Sequence, residues 1–472
     1  MNLDNLPVEW SVSQLTKMIA SEGLISDGDW IESKDQDEKG DIRLIQLADI
    51  GDGDFRDKSN RYMNQDAFDR LNCVELKAND VLIARMPDPL GRACIFPKLP
   101  YKCVTVVDVC LIRTGERSAI SPKLLKYWIN STQIRNLIAL NATGTTRKRI
   151  TRKKLESFDF PVPPLAEQQE IVRQLDLMLA QVEQIKARLD AIPAILKKFR
   201  QSVLADAVSG KLTEEWREVA EFDVDTWTYE RAEDLCLKVQ SGSTPRNNPF
   251  DQNGTIPFLK VYNIVDQKIA FDYKPQFILE DVHQNGSKRS ICKPFDILMN
   301  IVGPPLGKVA IVTDQYPEWN INQAITMFRV DPEKLKYKFL YYILCEGQIV
   351  RDVLHETKGS VGQINISLSQ CRDASIPKPS LVEQDVIVER VDSLLGIAEK
   401  IENTVQSAQK RVNLLTQSIL AKAFSGELTA EWREQHQALI TGVNSAESLL
   451  AKIQEEREAS KPAKKTRKKK EV

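Results

Sequence analysis

Apolar residues recur at alternating steps of four and three along two stretches of the chain. The first series runs from Ile171 through Leu175, Met178, Val182 and Ile185 to Val203. The second runs from Ile387 through Val391, Leu394, Ala398 and Ile401 to Ile419. A seam of this period, held for nearly five heptads, is the pattern of coiled-coil packing and predicts two long helices. Two such helices in one chain can pair antiparallel. Ser380 followed by Glu383 predicts a capping box at the start of the second helix. Gly210 and Gly426 supply left-handed stops at the far ends, after which Thr213 and Thr429 can cap short helices carrying Trp216 and Trp432. Pro193 falls inside the first seam and is expected to kink or break that helix.

The remaining stretches, roughly residues 1–160 and 221–376, read as mixed α/β. Strand patterns lie at Asp41–Ile50, Val104–Ile112, Thr255–Ile264 and Ile325–Val330, and helical ones at Pro122–Ser131 and Glu333–Cys345. The expected order is therefore a mixed domain (1–160), a helical block (161–220), a second mixed domain (221–376), a second helical block (377–440) and a basic tail (441–472) expected to be disordered.

The helical blocks are copies of one another. "SGKLTEEWRE" from Ser209 returns as "SGELTAEWRE" from Ser425, 216 positions later. At the same offset "PVPPLAEQQEIV" (Pro161–Val172) meets "PKPSLVEQDVIV" (Pro377–Val388), and 24 of the 58 positions from Pro161 to Glu218 are identical without a gap. Upstream the likeness thins to short pieces such as "DPLGRACI" (Asp88–Ile95) against "PPLGKVAI" (Pro304–Ile311). The chain is a tandem repeat in which the helical part is kept and the mixed part has diverged.

Composition narrows the function. With 42% hydrophobic and 28% charged residues the chain reads as an ordinary globular protein, and no apolar run approaches the length of a membrane span. The N-terminus lacks a signal-peptide pattern, which makes the cytoplasm the expected location. Eight scattered cysteines without a CxxC pair read as reduced thiols, and three unpaired histidines make a zinc site improbable. A net charge of −1 means that nucleic-acid binding must rest on local clusters. Two stand out. "RKRITRKK" (Arg147–Lys154) holds six basic residues in eight, and the tail "KPAKKTRKKKEV" is basic and poor in apolar residues, hence expected to be disordered.

Several motif matches fail on inspection. "GPPLGKV" (Gly303–Val309) has three residues between its glycines and Val after the Lys, so it reads as a strand-connecting turn and not a phosphate loop. "NNPF" (Asn247–Phe250) lacks the second proline of the amino-methyltransferase motif, and no Gly-rich cofactor loop opens a βαβ unit. Basic side chains interleaved with Thr and Gly suit phosphate contacts and base edges instead. The candidate DNA-binding residues are Thr145, Thr146, Arg147, Lys148, Arg149 and Lys153, then Ser243, Thr244, Arg246 and Asn247, and finally Lys358, Ser360 and Gln363.

Two divergent domains, each followed by "PxPxLxEQ", a long heptad helix and "SGxLTxEWRE", resemble the specificity subunit of type I restriction-modification enzymes. The likeness covers essentially the whole chain before the tail; Pro193 and the basic extension depart from it. The resemblance implies two target-recognition domains in pseudo-two-fold arrangement, each reading half of a bipartite asymmetric duplex. Paired helices would set the unread gap. It further implies a non-catalytic chain that binds no cofactor itself. Its partners would be double-stranded DNA, two methyltransferase subunits using S-adenosylmethionine, and two translocating endonuclease subunits using ATP and magnesium. Glu167, Gln168, Trp216, Glu383, Gln384 and Trp432, in the repeated blocks, are the candidate partner-docking residues. The rival reading is a coiled-coil adaptor joining two protein-binding domains, and salt-dependent DNA binding by the complex separates the two.

Overall fold

The computed structural model describes residues 5–221, 227–244, 249–356 and 365–459. Two helices of 44 and 45 residues, Leu165–Val208 and Leu381–Ser425, form where the seam predicts them. Pro193 lies inside the first without interrupting it, so the expected break does not occur. A proline removes one N–H and crowds one carbonyl, and the turns on either side continue the ladder. Both helices end at a left-handed glycine, Gly210 at φ +80° and Gly426 at φ +81°.

By compactness the chain divides into two units, Met1–Arg188 with Ala408–Val472, and Leu189–Ser407. Each takes one mixed domain and one end of each long helix. In the first unit Ile171 and Leu175, near the start of the first helix, share a core with Leu420, Ala423 and Phe424 at the end of the second. In the second unit Val203, Leu204 and Ala207 share a core with Ile387 and Val391. Start meets end in both, which is the antiparallel pairing expected from the repeat. The seam is not buried throughout: Ile185 and Phe199 on the first helix and Ile401 and Leu415 on the second remain exposed.

Among the described residues the first mixed domain contains nine strands. They are β1 (Ser11–Gln14), β2 (Leu24–Asp27), β3 (Ile42–Ile45), β4 (Tyr62–Met63), β5 (Val81–Ala84), β6 (Ala93–Ile95), β7 (Cys103–Thr105), β8 (Val109–Arg113) and β9 (Asp159–Val162). They pair as β2-β8-β5-β6, β4-β3-β7 and β1-β9. The apolar run Val104–Ile112 therefore makes two strands, β7 and β8, because the turn at Val106–Asp108 sends its halves to different sheets. The β1–β9 ribbon ties the N-terminus to the segment that enters the first long helix.

The second mixed domain repeats this plan in its core. Its strands are β10 (Thr228–Arg231), β11 (Cys236–Ser241), β12 (Ile256–Leu259), β13 (Ile264–Val265), β14 (Lys268–Ile269) and β15 (Phe277–Ile278). They continue as β16 (Ile291–Cys292), β17 (Ile297–Asn300), β18 (Val309–Ile311), β19 (Trp319–Ile321), β20 (Ile325–Val330) and β21 (Ser375–Lys378). The sheet β11-β20-β17-β18 matches β2-β8-β5-β6, the ribbon β10-β21 matches β1-β9, and the parallel pair β12·β19 matches β3·β7. "GPPLGKV" joins β17 to β18, the strand-connecting turn read from the sequence. A bidentate ion pair on a buried aspartate recurs on the matched sheets: Arg113 grips Asp80 at 2.8 and 2.7 Å, and Arg329 grips Asp296 at 2.8 and 2.8 Å.

Part of the expected disordered tail is ordered. Ala446–Ala459 is a helix whose Ala446 and Ile453 are buried in the first unit's core, beside Leu449 and Leu450. Its apolar positions, not the basic run that follows, decide this; residues 460–472 lie outside the described residues. Six of the eight thiols are buried and all are unpaired. Burial pushes the Cys110 thiol up to about 12, which keeps it protonated and unreactive. No described helix is long and apolar enough to cross a membrane.

Candidate nucleic-acid interface

The basic loop is a closed turn on the first mixed domain. Thr143 and Arg149 exchange backbone bonds of 2.9 and 2.8 Å, and Ile150 N–H donates to Arg85 O at 3.1 Å, anchoring the exit. Between these anchors Thr145, Thr146, Arg147 and Lys148 are exposed, and neither Arg147 nor Lys148 has an acidic partner among the described residues. Arg149 is half-buried and fixed: its guanidinium donates to Val107 O at 3.3 Å and sits 3.4 Å from Asp108. Lys153 is exposed on the short helix Arg152–Glu156, whose start is capped by Thr151.

Arg149 places the loop beside the β7–β8 turn, and a second segment meets the same turn. Gly28 N–H donates to Val109 O at 2.8 Å and Asp29 N–H to Thr105 O at 2.9 Å. The approach is so close that a Cβ at Gly28 would overlap Val106 O. Trp30 follows and is 68% exposed, so a large aromatic face stands at this edge. Under this edge Arg85 pairs with Asp27 at 2.6 Å. Burial lowers the Arg85 pKa and Asp27 opposes that, while nearby Arg149 adds repulsion.

The second unit builds the same edge from other side chains. Gly242 N–H donates to Ile325 O at 2.9 Å and Ser243 N–H to Ile321 O at 3.1 Å, and a Cβ at Gly242 would overlap Asn322 O. Ser243 and Thr244 thus occupy the places of Asp29 and Trp30. Ser243 Oγ lies 2.9 Å from Ser290 Oγ, and Thr244 Oγ1 donates to Gln323 Oε1 at 2.6 Å. Arg246, Asn247, Lys358, Ser360 and Gln363 lie outside the described residues. Trp30 and Gln323 were not legible as site residues, because one sits in an acidic stretch and the other in a turn without a motif.

The expected docking residues have another place. Glu167, Gln168, Glu383 and Gln384 are all buried, at 0, 1, 2 and 0% exposure, and their polar atoms are spent inside their own units. Glu167 accepts from Thr429 Oγ1 at 2.7 Å, from Arg433 at 2.9 and 2.7 Å, and from Trp10 Nε1 at 2.8 Å. Glu383 accepts from Thr213 Oγ1 at 2.7 Å, Arg217 at 2.6 Å and Trp227 Nε1 at 3.0 Å. Arg217 and Arg433 each also donate to the carbonyl of the helix-ending glycine, Gly210 or Gly426, at 2.7 and 2.6 Å. The threonines therefore donate to the carboxylate instead of capping, and Ser380 caps Glu383 N–H at 3.2 Å without a reciprocal bond. A buried carboxylate needs donors, and the opening of one block supplies what the end of the other block satisfies.

Trp10 and Trp227 were missed because they match at an offset of 217, one out of step with the repeat. Trp216 and Trp432 are half-buried, Trp432 stacking on His436 at 4.5 Å.

Gln168 and Gln384 pin the mixed domains to the long helices. Gln168 Nε2 donates to Ala119 O at 2.7 Å while its Oε1 accepts from Ser121 N–H at 3.0 Å; Gln384 does the same with Lys334 O at 3.3 Å and Lys336 N–H at 2.8 Å. A second pin lies about two turns further along. Asp176 holds Tyr127 OH at 2.5 Å and Lys123 Nζ at 2.8 Å; Asp392 holds Tyr342 OH and, at 2.6 Å, Lys338 Nζ. Burial, then Asp176, raises the Tyr127 pKa, so the phenol stays a donor.

Comparison with known proteins agrees with this plan. Residues 7–194 and 224–407 match the family "Type I restriction modification DNA specificity domain". The chain is 37% identical to the type I restriction enzyme EcoBI specificity subunit of Escherichia coli, over 70% of this chain and 71% of that one. It is 34% identical to the EcoDI specificity subunit of Escherichia coli, over 99% and 100%. The fold is similar to that of the HsdS subunit from Thermoanaerobacter tengcongensis, with a TM-score of 0.60 at 19% identity, covering 90% of this chain and 98% of that one. A chain from a study of complex assembly and conformational transition of the type I R-M system superposes with a TM-score of 0.68 at 18% identity, over 90% and 99%. With two matched domains that together span more than half of its length, the chain belongs to the family of type I restriction-modification DNA specificity domains.

Proposed function

We propose that this chain is the DNA-reading, non-catalytic subunit of a type I restriction-modification complex. Each mixed domain, 1–160 and 221–376, reads one half of a bipartite asymmetric duplex, and the long helices set the unread gap between them. The exposed apolar positions of the helices, with Trp216 and Trp432, supply docking surface for two methyltransferase subunits, and two endonuclease subunits complete the assembly. S-adenosylmethionine, ATP and magnesium belong to those partners. The subunit works in the cytoplasm, where its DNA is.

The observation that carries the reading is the anchored loop with Arg147 and Lys148 exposed and free of acidic partners among the described residues, beside an edge whose side chains differ between the units. Cations held against phosphates in this way fix register, and the variable edge is free to select bases. The test is DNA binding by the assembled complex across a salt series. Removing one phosphate-binding cation should flatten the log–log slope by about 0.9. Arg147→Ala with Lys148→Ala should therefore flatten it by about 1.8 and weaken binding to all sequences alike, and adding Arg149→Ala should extend the effect. Unchanged affinity and slope in the triple variant would overturn the assignment.

A further inference from the structure

We propose that Gln323 reads an adenine edge in the major groove, held in position by Thr244. The inference rests on the DNA-reading function above and assigns one base-selecting residue within the second domain.

Gln323 occupies the three-residue turn between β19 and β20 and is exposed. Its amide is nonetheless oriented. The Thr244 hydroxyl donates to Oε1 at 2.6 Å, which identifies the oxygen end and leaves the Nε2 hydrogens without a partner among the described residues. Thr244 is itself placed by its neighbours: Ser243 is tied to Ile321 O at 3.1 Å and to Ser290 Oγ at 2.9 Å, and Gly242 lets the segment press against the turn. A carboxamide with two free N–H donors and a spare lone pair on oxygen matches adenine, whose N7 accepts and whose N6 donates. Guanine shows two acceptors at that edge and leaves the oxygen unmatched.

A structural role explains the Thr244–Gln323 bond poorly, since a bond between two exposed side chains contributes little to folding. The first unit shows the alternative: its equivalent turn carries Val107 and an Asp108 engaged by Arg149, and Trp30 replaces Thr244. The same backbone edge there offers no oriented carboxamide. The two halves of the target are thus selected by different chemistry on one framework.

The experiment is methylation of a randomised duplex library by the complex assembled with its methyltransferase partner, read by sequencing. Gln323→Ala should relax selection at a single adenine position of one half-site, by roughly tenfold to a hundredfold, and leave the other half untouched. Thr244→Val should weaken the same position in part, and Thr244→Ser should restore it, with thermal melting unchanged in all three. Retained preference at every position in Gln323→Ala, relaxation in both halves, or relaxation at a base other than adenine would each overturn the inference. A parent complex that selects no sequence would instead remove the function on which it rests.

Discussion

Two kinds of region recur in both units and behave oppositely. The joints match residue for residue: Glu167 with Thr429, Arg433 and Trp10 is repeated by Glu383 with Thr213, Arg217 and Trp227. The proposed reading edges share only a backbone: Asp29, Trp30 and Arg149 in one unit, Ser243, Thr244 and Gln323 in the other. Each joint is made between blocks, so a change in one block strands a partner in the other. Trp30, Thr244 and Gln323 at the edges are exposed, and changing them strands little. Interlocked burial makes the joints costly to vary, and exposure leaves the edges free.

The largest expected effect comes from breaking a joint. Arg217→Ala leaves the Glu383 carboxylate buried without its charge partner, which should cost about 3–5 kcal/mol, measured by denaturant unfolding of the second unit. Arg433→Ala does the same to Glu167, yet the Arg433 side chain is 12% exposed against 6% for Arg217, so water can reach the gap and the loss should be smaller. Equal losses would show that this difference in access is immaterial. Arg217→Ala combined with Glu383→Gln should cost less than the two changes summed, because they remove one interaction.

These joints also mark how far the sequence could be read. The seam, the repeat and the terminal glycines were legible, because period and offset are local properties. Strand patterns located β3, β12 and β20, yet Val104–Ile112 was one apolar run whose split depends on which sheet receives each half. Glu167 and Glu383 looked like surface charges in a repeated motif, and only the opposing block shows that they are buried. Arg147 and Lys148 were legible as a basic cluster; Gln323 was not, since its meaning comes from Thr244, 79 positions away.

An intermediate effect should separate the units by stability. The helix Ala446–Ala459 packs into the core of the first unit, with Ile453 at 2% exposure. Ile453→Ala should destabilise the first unit by about 2–5 kcal/mol and leave the second unchanged. Hydrogen exchange read separately over β1–β9 and β10–β21 checks this, and equal loss of protection in both would deny the helix its one-sided role. Removing residues after Ser460 should change neither.

The smallest effect concerns the pin between each domain and its long helix. Tyr127→Phe and Tyr342→Phe each delete one hydroxyl that donates to an aspartate, and a hydrogen bond to a charged group contributes about 1.5–3 kcal/mol, less where water competes. The pH dependence identifies the bond. Burial and Asp176 raise the folded Tyr127 pKa above the ordinary value near 10, so in the folded state the phenol keeps its proton longer than in the unfolded chain. Its contribution is complete below about pH 10 and is lost as pH rises through the folded value. For Asp176, burial works to raise the pKa, but Lys123 and Tyr127 together outweigh it and leave the carboxyl lowered, so its share is present above about pH 4 and fades in acid. The stability gap between parent and Tyr127→Phe should accordingly be widest between these limits and close on both sides. A gap that stays constant from about pH 3 to about pH 11 would mean that the ring packs against the helix and the hydroxyl adds nothing.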